Sequence, residues 1–233
     1  MRIRPLLFFS LAAVLGAGAV PAATATTRHP AIGALPTRLK GVHDATQVIS
    51  VVANGYGTTT ATVRAFAKRG GTWHEVFGPA SAWIGSAGFA PPGAKREGDA
   101  RTPSGSYTFS FFFGVDRNPG VHFRWRHANS FDYWDDDPAS PRYNEWVNAR
   151  RHSAGRSPEP LHVVPSYRDV AAINYNAERT PGRGSAIFLH VTHHSATTGC
   201  IALPRADVVR LLRWLRPAAH PRIIMGTAAT VTR

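Results

Sequence analysis

Apolar and polar positions repeat with a period of two over much of this chain, and with the period of a helix in one place. Gln47–Ala53 is a short, β-branched run that predicts a core-building strand, and Asn54-Gly55 after it is a hairpin signal. Thr59 to Lys68 sets Ala61, Val63, Ala65 and Ala67 against Thr60, Thr62, Arg64 and Phe66, as a half-buried strand does. Gly70-Gly71 turns the chain into a third strand, Thr72 to Phe77, so the three predict an antiparallel meander. Tyr107 to Phe113 places aromatics on one face. Leu161–Val164, Ala186–Val191 and Arg222–Met225 read as further short strands. Between Pro204 and Leu215, Val208, Leu211, Leu212 and Leu215 fall at helical spacing, with Pro204 in the first turn and Pro217 beyond the end. The pattern predicts a mainly β domain with one helix, in its C-terminal half, packed on it.

The segment 114–160 resists this reading. It is long, irregular and rich in Trp, Tyr, Asp, Asn and Arg, a composition suited to a wall or lid over a cleft. Its Asp135-Asp136-Asp137 run lacks the regular alternation of a calcium loop.

The N-terminus carries a different signal. Arg2 and Arg4 precede an apolar run from Leu6 to Val20, and Ala23-Thr24-Ala25 offers a small-residue cleavage site. These are the three parts of a secretory signal peptide, with the membrane involved only through it. The expected organisation is a signal peptide over 1–25, a linker or arm over 26–41 and one domain over 42–233, in an exported, cell-wall protein. Export changes the meaning of the charge, which stands at 27 Lys+Arg against 14 Asp+Glu, a formal +13. Such a field favours polyanions or carboxylate-bearing substrates. Outside the cytoplasm these are anionic cell-wall polymers rather than nucleic acid.

Export also changes the meaning of Cys200, the only cysteine in the 233-residue chain. It has no partner for an internal disulfide, so it reads as an intermolecular partner, a reactive thiol or a buried small hydrophobe. His190, at the end of a predicted strand, lies ten positions before it (200 − 190 = 10). A loop of that length can bring thiol and imidazole together as nucleophile and base. The glycine at 199 lets the backbone approach a ligand, and amides there could face the oxygen of a tetrahedral intermediate. His190, His193, His194 and Cys200 are also acceptable zinc ligands, so a zinc protein stays an alternative. So does a non-catalytic basic module that binds wall polyanions. Papain-like and NlpC-like peptidases fit less well, because their nucleophile precedes the histidine.

The segment His190 … Thr197-Thr198-Gly199-Cys200 resembles the catalytic motif of the YkuD-type L,D-transpeptidases, in which a histidine precedes Ser/Thr-x-Gly-Cys. Gly98-Asp99-x-x-Thr102-Pro103-x-Gly105 is similar to a second segment of that family, and the likeness spans roughly 47–226. The resemblance implies a β-rich, sandwich- or barrel-like catalytic fold without a cofactor or metal. It implies acyl transfer on peptidoglycan stem peptides through a thioester, used in cell-wall cross-linking or remodelling. Cys200 would be the nucleophile, His190 the proton donor and acceptor (with His194 its rival), and Gly199 the source of an oxyanion amide. The carbonyl of Val191 or Thr192 would orient the histidine. Thr197 and Thr198 would line the substrate site. The spacing from His190 to Cys200 is shorter than usual, and Thr198 replaces a common histidine. Ala202 replaces an Arg or Asn able to meet a substrate carboxylate, a task left to Arg183 or Arg205.

Overall fold

A computed structural model describes residues 35–232. The expected signal peptide and the first part of the expected arm lie outside them. In chain order the elements are α1 (Leu35–Arg38), β1 (Gln47–Ala53), β2 (Thr60–Arg69), β3 (Thr72–Trp83), β4 (Phe89–Ala90), β5 (Thr102–Pro103), β6 (Gly105–Tyr107) and β7 (Phe109–Gly114). There follow β8 (Trp125–His127), β9 (Asp132–Asp135), β10 (Glu145–Asn148), β11 (Glu159–Pro160), β12 (Val170–Ile173), β13 (Phe188–Val191) and β14 (Ile201–Leu203). The chain closes with α2 (Arg205–Trp214), β15 (Arg222–Thr227) and α3 (Ala228–Val231). The fold is mainly β, as the periodicity predicts.

Ten strands form one curled sheet in the order β6-β15-β1-β2-β3-β14-β13-β12-β7-β8. The predicted meander is its centre: β1 pairs antiparallel with β2, and β2 with β3. Strand alternation then divides the side chains between two faces. Ile49, Val51 and Ala53 of β1 and Leu189 and Val191 of β13 enter one large cluster, which α2 covers with Val208, Leu211 and Leu212. Val48 on the opposite face joins Leu39, Phe66, Trp73 and Val231 in a second cluster. Phe66 therefore lies in a core, although the alternation of β2 puts it with the polar positions. The register slips beside it, and residues 35–41, from the expected arm, supply its cover through Leu39.

The third cluster decides the site. On the opposite face of the sheet's other half, Phe113, Val170, Ala172, Phe188 and Cys200 pack beneath Trp134 and Leu161. The cover comes from the 114–160 segment, which folds into a three-stranded sheet, β10-β9-β11, rather than an irregular loop. Trp134 reaches down from β9 to lie edge-on to Phe188, with ring centroids 5.1 Å apart. Residues 161–164 do not form the predicted strand. Leu161 is buried, but Val164 is 51% exposed, and Tyr167 N–H closes a turn onto the Val163 carbonyl at 2.7 Å. Pro165, without an N–H to give a ladder, stops the run there.

Truncating Phe66 to Ala should cost about 3–5 kcal/mol, the range for large-to-small changes at full burial. Val164→Ser should stay within about 0.5 kcal/mol, as an exposed substitution does. Urea unfolding of the two variants checks both.

Candidate active site

The site rests on one strand pair. β13 and β14 run parallel, with Leu189 opposite Ile201, His190 opposite Ala202 and Val191 opposite Leu203. Paired residues share a face, so Leu189, Val191, Ile201 and Leu203 all enter the cluster under α2. Phe188, His190 and Cys200 are left on the other face, where the 114–160 cap covers Phe188 and Cys200. One step back along the register sets Cys200 beside Phe188, and the Phe188 amide donates to Cys200 Sγ at 3.3 Å. The thiol itself donates to the Ala186 carbonyl at 3.2 Å. His190 sits one residue pair further along the same face.

Burial sets the resting charge of both groups. Cys200 is 6% exposed, and burial pushes its thiol up to about 12, with Glu159 adding to the rise and the Phe188 amide opposing it. Burial drives the His190 imidazole down to about 4, helped by the nearby His193 and opposed by its bond to the Val191 carbonyl. That bond, Nδ1 to Val191 O at 2.8 Å, engages one ring nitrogen and orients the ring. With Nδ1 donating, Nε2 is the nitrogen that can accept a proton. At neutral pH the pair therefore rests as thiol and neutral imidazole.

The backbone of Cys200 is tied to the distant Gly98-Asp99 segment. Thr102 Oγ1 donates to the Cys200 carbonyl at 3.4 Å and accepts from the Gly85 amide at 2.9 Å. Thr197 Oγ1 donates to the same carbonyl at 2.8 Å and takes the Gly199 amide at 3.1 Å. Gly199 has φ +151°, and a Cβ there would come within 3.0 Å of the Arg101 carbonyl. A glycine is required for the two segments to meet. Asp99 shapes the loop behind Thr102 by accepting from the Arg96 and Arg101 amides at 2.8 and 2.9 Å and from Lys95 Nζ at 2.5 Å. Burial works to raise its carboxyl, but Lys95 and the two amides outweigh it and the net shift is downward.

The remaining residues expected at the site are scattered. His193, His194 and Thr198 are exposed on the loop between the strands. Arg205 is held by Asp169 at 2.8 Å and by Asp116 at 2.7 Å. Arg183 lines a separate groove with Lys95, Ser104 and Tyr175. Among the described residues, no group of three or more His, Cys, Asp or Glu side chains is placed to hold a metal ion. Asp135 and Asp137 instead knit their own loop, accepting from Ser140, Gly155, Ala139 and Arg156.

Three residues without a motif complete the surroundings. Tyr167 lies edge-on to the His190 ring, centroids 5.4 Å apart, and its hydroxyl donates to Glu159 Oε1 at 2.9 Å. Burial raises the Glu159 carboxyl, with the Tyr167 bond opposing. Asn144, at φ +58°, accepts from Trp134 Nε1 at 2.8 Å and from the Ala186 amide at 3.3 Å, so it joins the cap to the residue that holds the thiol. Nothing in the sequence around these three residues marks their roles.

Fold and site together define a mainly β domain that carries a histidine and a glycine-preceded cysteine on one buried face. Residues 51–230 match the YkuD L,D-transpeptidase catalytic domain family, and the chain belongs to that family. No curated protein and no solved structure gives a significant match.

The buried imidazole makes stability depend on pH. Its folded value of about 4 lies below the ordinary 6.5, so between them the unfolded chain binds a proton that the folded chain does not. Stability is intact above pH 6.5 and falls by about 3 kcal/mol as pH drops toward 4. The thiol acts at the other end, where stability is lost as pH rises above 9. Urea unfolding between pH 4 and 7 should show the acid slope in the parent and a flatter one in His190→Gln.

Proposed function

We propose that this chain is an exported L,D-transpeptidase that acts on peptidoglycan stem peptides with Cys200 as nucleophile and His190 as its base. The observation that carries the proposal is the placing of both side chains on one covered face, with His190 Nδ1 engaged by Val191. Family membership supports the reaction class and a peptidoglycan substrate.

In this reading the resting thiol leaves the Ala186 carbonyl when substrate enters and gives its proton to His190 Nε2. The sulfur attacks the stem-peptide carbonyl that precedes a terminal D-Ala, and a C–S bond forms. The C–N bond then breaks, and the imidazolium returns the proton to the departing D-Ala amine. An amine of a neighbouring stem peptide, or water, attacks the thioester, loses a proton to His190 and restores the thiol. The amides at Gly199 and Cys200 serve the oxyanion, which requires the Gly199 amide to exchange Thr197 Oγ1 for the substrate oxygen. Keeping both groups neutral at rest protects an exported thiol from oxidation, since the thiolate is the reactive form. Tyr167 is a positioning residue: its ring fixes His190 while Glu159 fixes its hydroxyl. The basic surface favours the anionic wall.

A carbapenem should add its mass to the intact protein, and Cys200→Ala should abolish the addition. His190→Ala should slow acylation by roughly 10²- to 10⁴-fold, the range for a general base, while exposed His194→Ala stays near the parent rate. Mass spectrometry over time separates these outcomes. A parent that never gains the mass, yet binds purified sacculi as well as Cys200→Ala does, would leave a wall-binding module instead. Tyr167→Phe should fold and still acylate, with a changed pH dependence of the rate.

A further inference from the structure

The sheet edge carries a cation that the proposed reaction does not use. Arg126, on β8, is half-buried between two rings. Its guanidinium carbon lies 4.0 Å from the Trp146 ring centroid and 5.0 Å from that of Phe111. Stacking of this kind holds the group in place without using its N–H donors. Among the described residues, no carboxylate or carbonyl accepts from it. Asp132 attracts it electrostatically but is turned to Trp146 Nε1 at 3.0 Å, Asn148 Nδ2 at 2.8 Å and the Asn129 amide at 2.9 Å. Glu145, nearby, is taken by Arg179 and Arg142. Burial lowers the Arg126 pKa, with Arg124 acting the same way and Asp132 opposing, so the charge is partly stripped of water and lacks a hydrogen-bonded counterion. A guanidinium in that state gains most from a planar anion that takes two of its N–H groups.

Its surroundings narrow the ligand. Arg126 opens onto a groove of about 430 Å³, walled by Phe111, Trp134, Trp146, Ile173 and Asn144. The lining mixes these rings and Ile173 with Asn144, Asn174 and the paired Glu145 and Arg179, a mixture that suits the amide and aliphatic groups of a short peptide, while the Glu145 carboxylate opposes a run of phosphates. Asn144 connects the groove to the thiol, since its side chain takes the Ala186 amide and the Ala186 carbonyl takes Cys200 Sγ. The two arginines considered from sequence are placed less well: Arg205 already carries two carboxylates, and Arg183 lines another groove.

We infer that Arg126 is a specificity-determining residue, which receives a free carboxylate of the peptide stem in the groove beside Phe111 and Trp146. The inference rests on the peptidoglycan reading of the site, but its test does not need turnover. Calorimetry on full-length Cys200→Ala would compare a synthetic stem tetrapeptide ending in D-Ala with versions in which each carboxylate in turn is an amide. One acid should bind roughly ten- to a hundredfold more tightly than its amide, as a charge-assisted pair allows. Adding Arg126→Gln should collapse that ratio by weakening the acid and leaving the amide unchanged. Arg126→Lys, which keeps the charge but not the fork, should give an intermediate ratio and guards against a folding defect.

Equal binding of acid and amide, or a ratio that survives Arg126→Gln, would overturn the assignment. Poly(glycerol phosphate) binding that alone depends on Arg126 would overturn it in favour of a wall-polymer site. Carbapenem acylation of the parent separates the two proposals. A parent that is not acylated but shows the Arg126-dependent ratio loses the reaction and keeps the subsite. Acylation without the ratio does the reverse.

Discussion

The parallel pairing of β13 with β14 is the constraint on which the site depends. Two parallel neighbours cannot be joined by a tight turn, so residues 192–200 must travel back along β13 before β14 begins. The return loop passes the end of β3, where Thr197 N–H bonds to the Ile84 carbonyl and Ser86 N–H to the Thr197 carbonyl. That detour delivers Gly199 and Cys200 to the Arg101–Thr102 segment and sets the thiol on the face that carries His190. The ten-residue spacing, short beside the family's usual one, follows from the length of this return. A shift of one residue in the pairing would turn Cys200 into the cluster under α2 and away from His190.

Covering that face creates the chemistry. The β9–β11 cap covers Cys200 through Trp134, and Tyr167, whose hydroxyl is held by Glu159 of β11, packs on His190. Beneath Trp134, Leu161 and Tyr167 both are neutral, because a low-dielectric surrounding penalises each charged form. The same cap brings Glu159 and Asn144 to the site, one holding the Tyr167 hydroxyl and the other the Ala186 amide. Glu97 belongs to this junction too, since it accepts the Tyr143 hydroxyl, which itself takes the Gly184 amide at 3.0 Å. Motif loop, cap and the strand entering His190 therefore form one connected polar lattice around a small apolar floor.

The central strands and α2 were legible because their side chains are sorted by local periodicity, and the bounds of β1 match its apolar run. Phe66 was misleading for a physical reason: alternation reports one buried face, whereas β2 is buried on both once the segment around Leu39 covers it. Leu161–Val164 failed because a hydrophobic run ahead of a proline can turn as easily as pair. The 114–160 strands are short, and Asp132 and Asn148 share a face with Trp134 and Trp146, so no apolar period marks them. Cys200 and His190 stood out through residue type and order. Tyr167, Glu159, Asn144 and Arg126 did not, since nothing in their own neighbourhood distinguishes them.

By itself, the sequence determined a mainly β chain with one amphipathic helix, a lone cysteine behind a glycine, and two motif segments about a hundred positions apart. These are properties of short windows, where periodicity and backbone freedom act locally. Only the tertiary structure decided that the two segments touch and that His190 rather than His194 is buried on the face that carries the thiol. It also decided that Arg205 is already paired while Arg126 is not. Burial, register and charge pairing come from residues far apart in the chain, so they exist only once the sheet has brought those residues together.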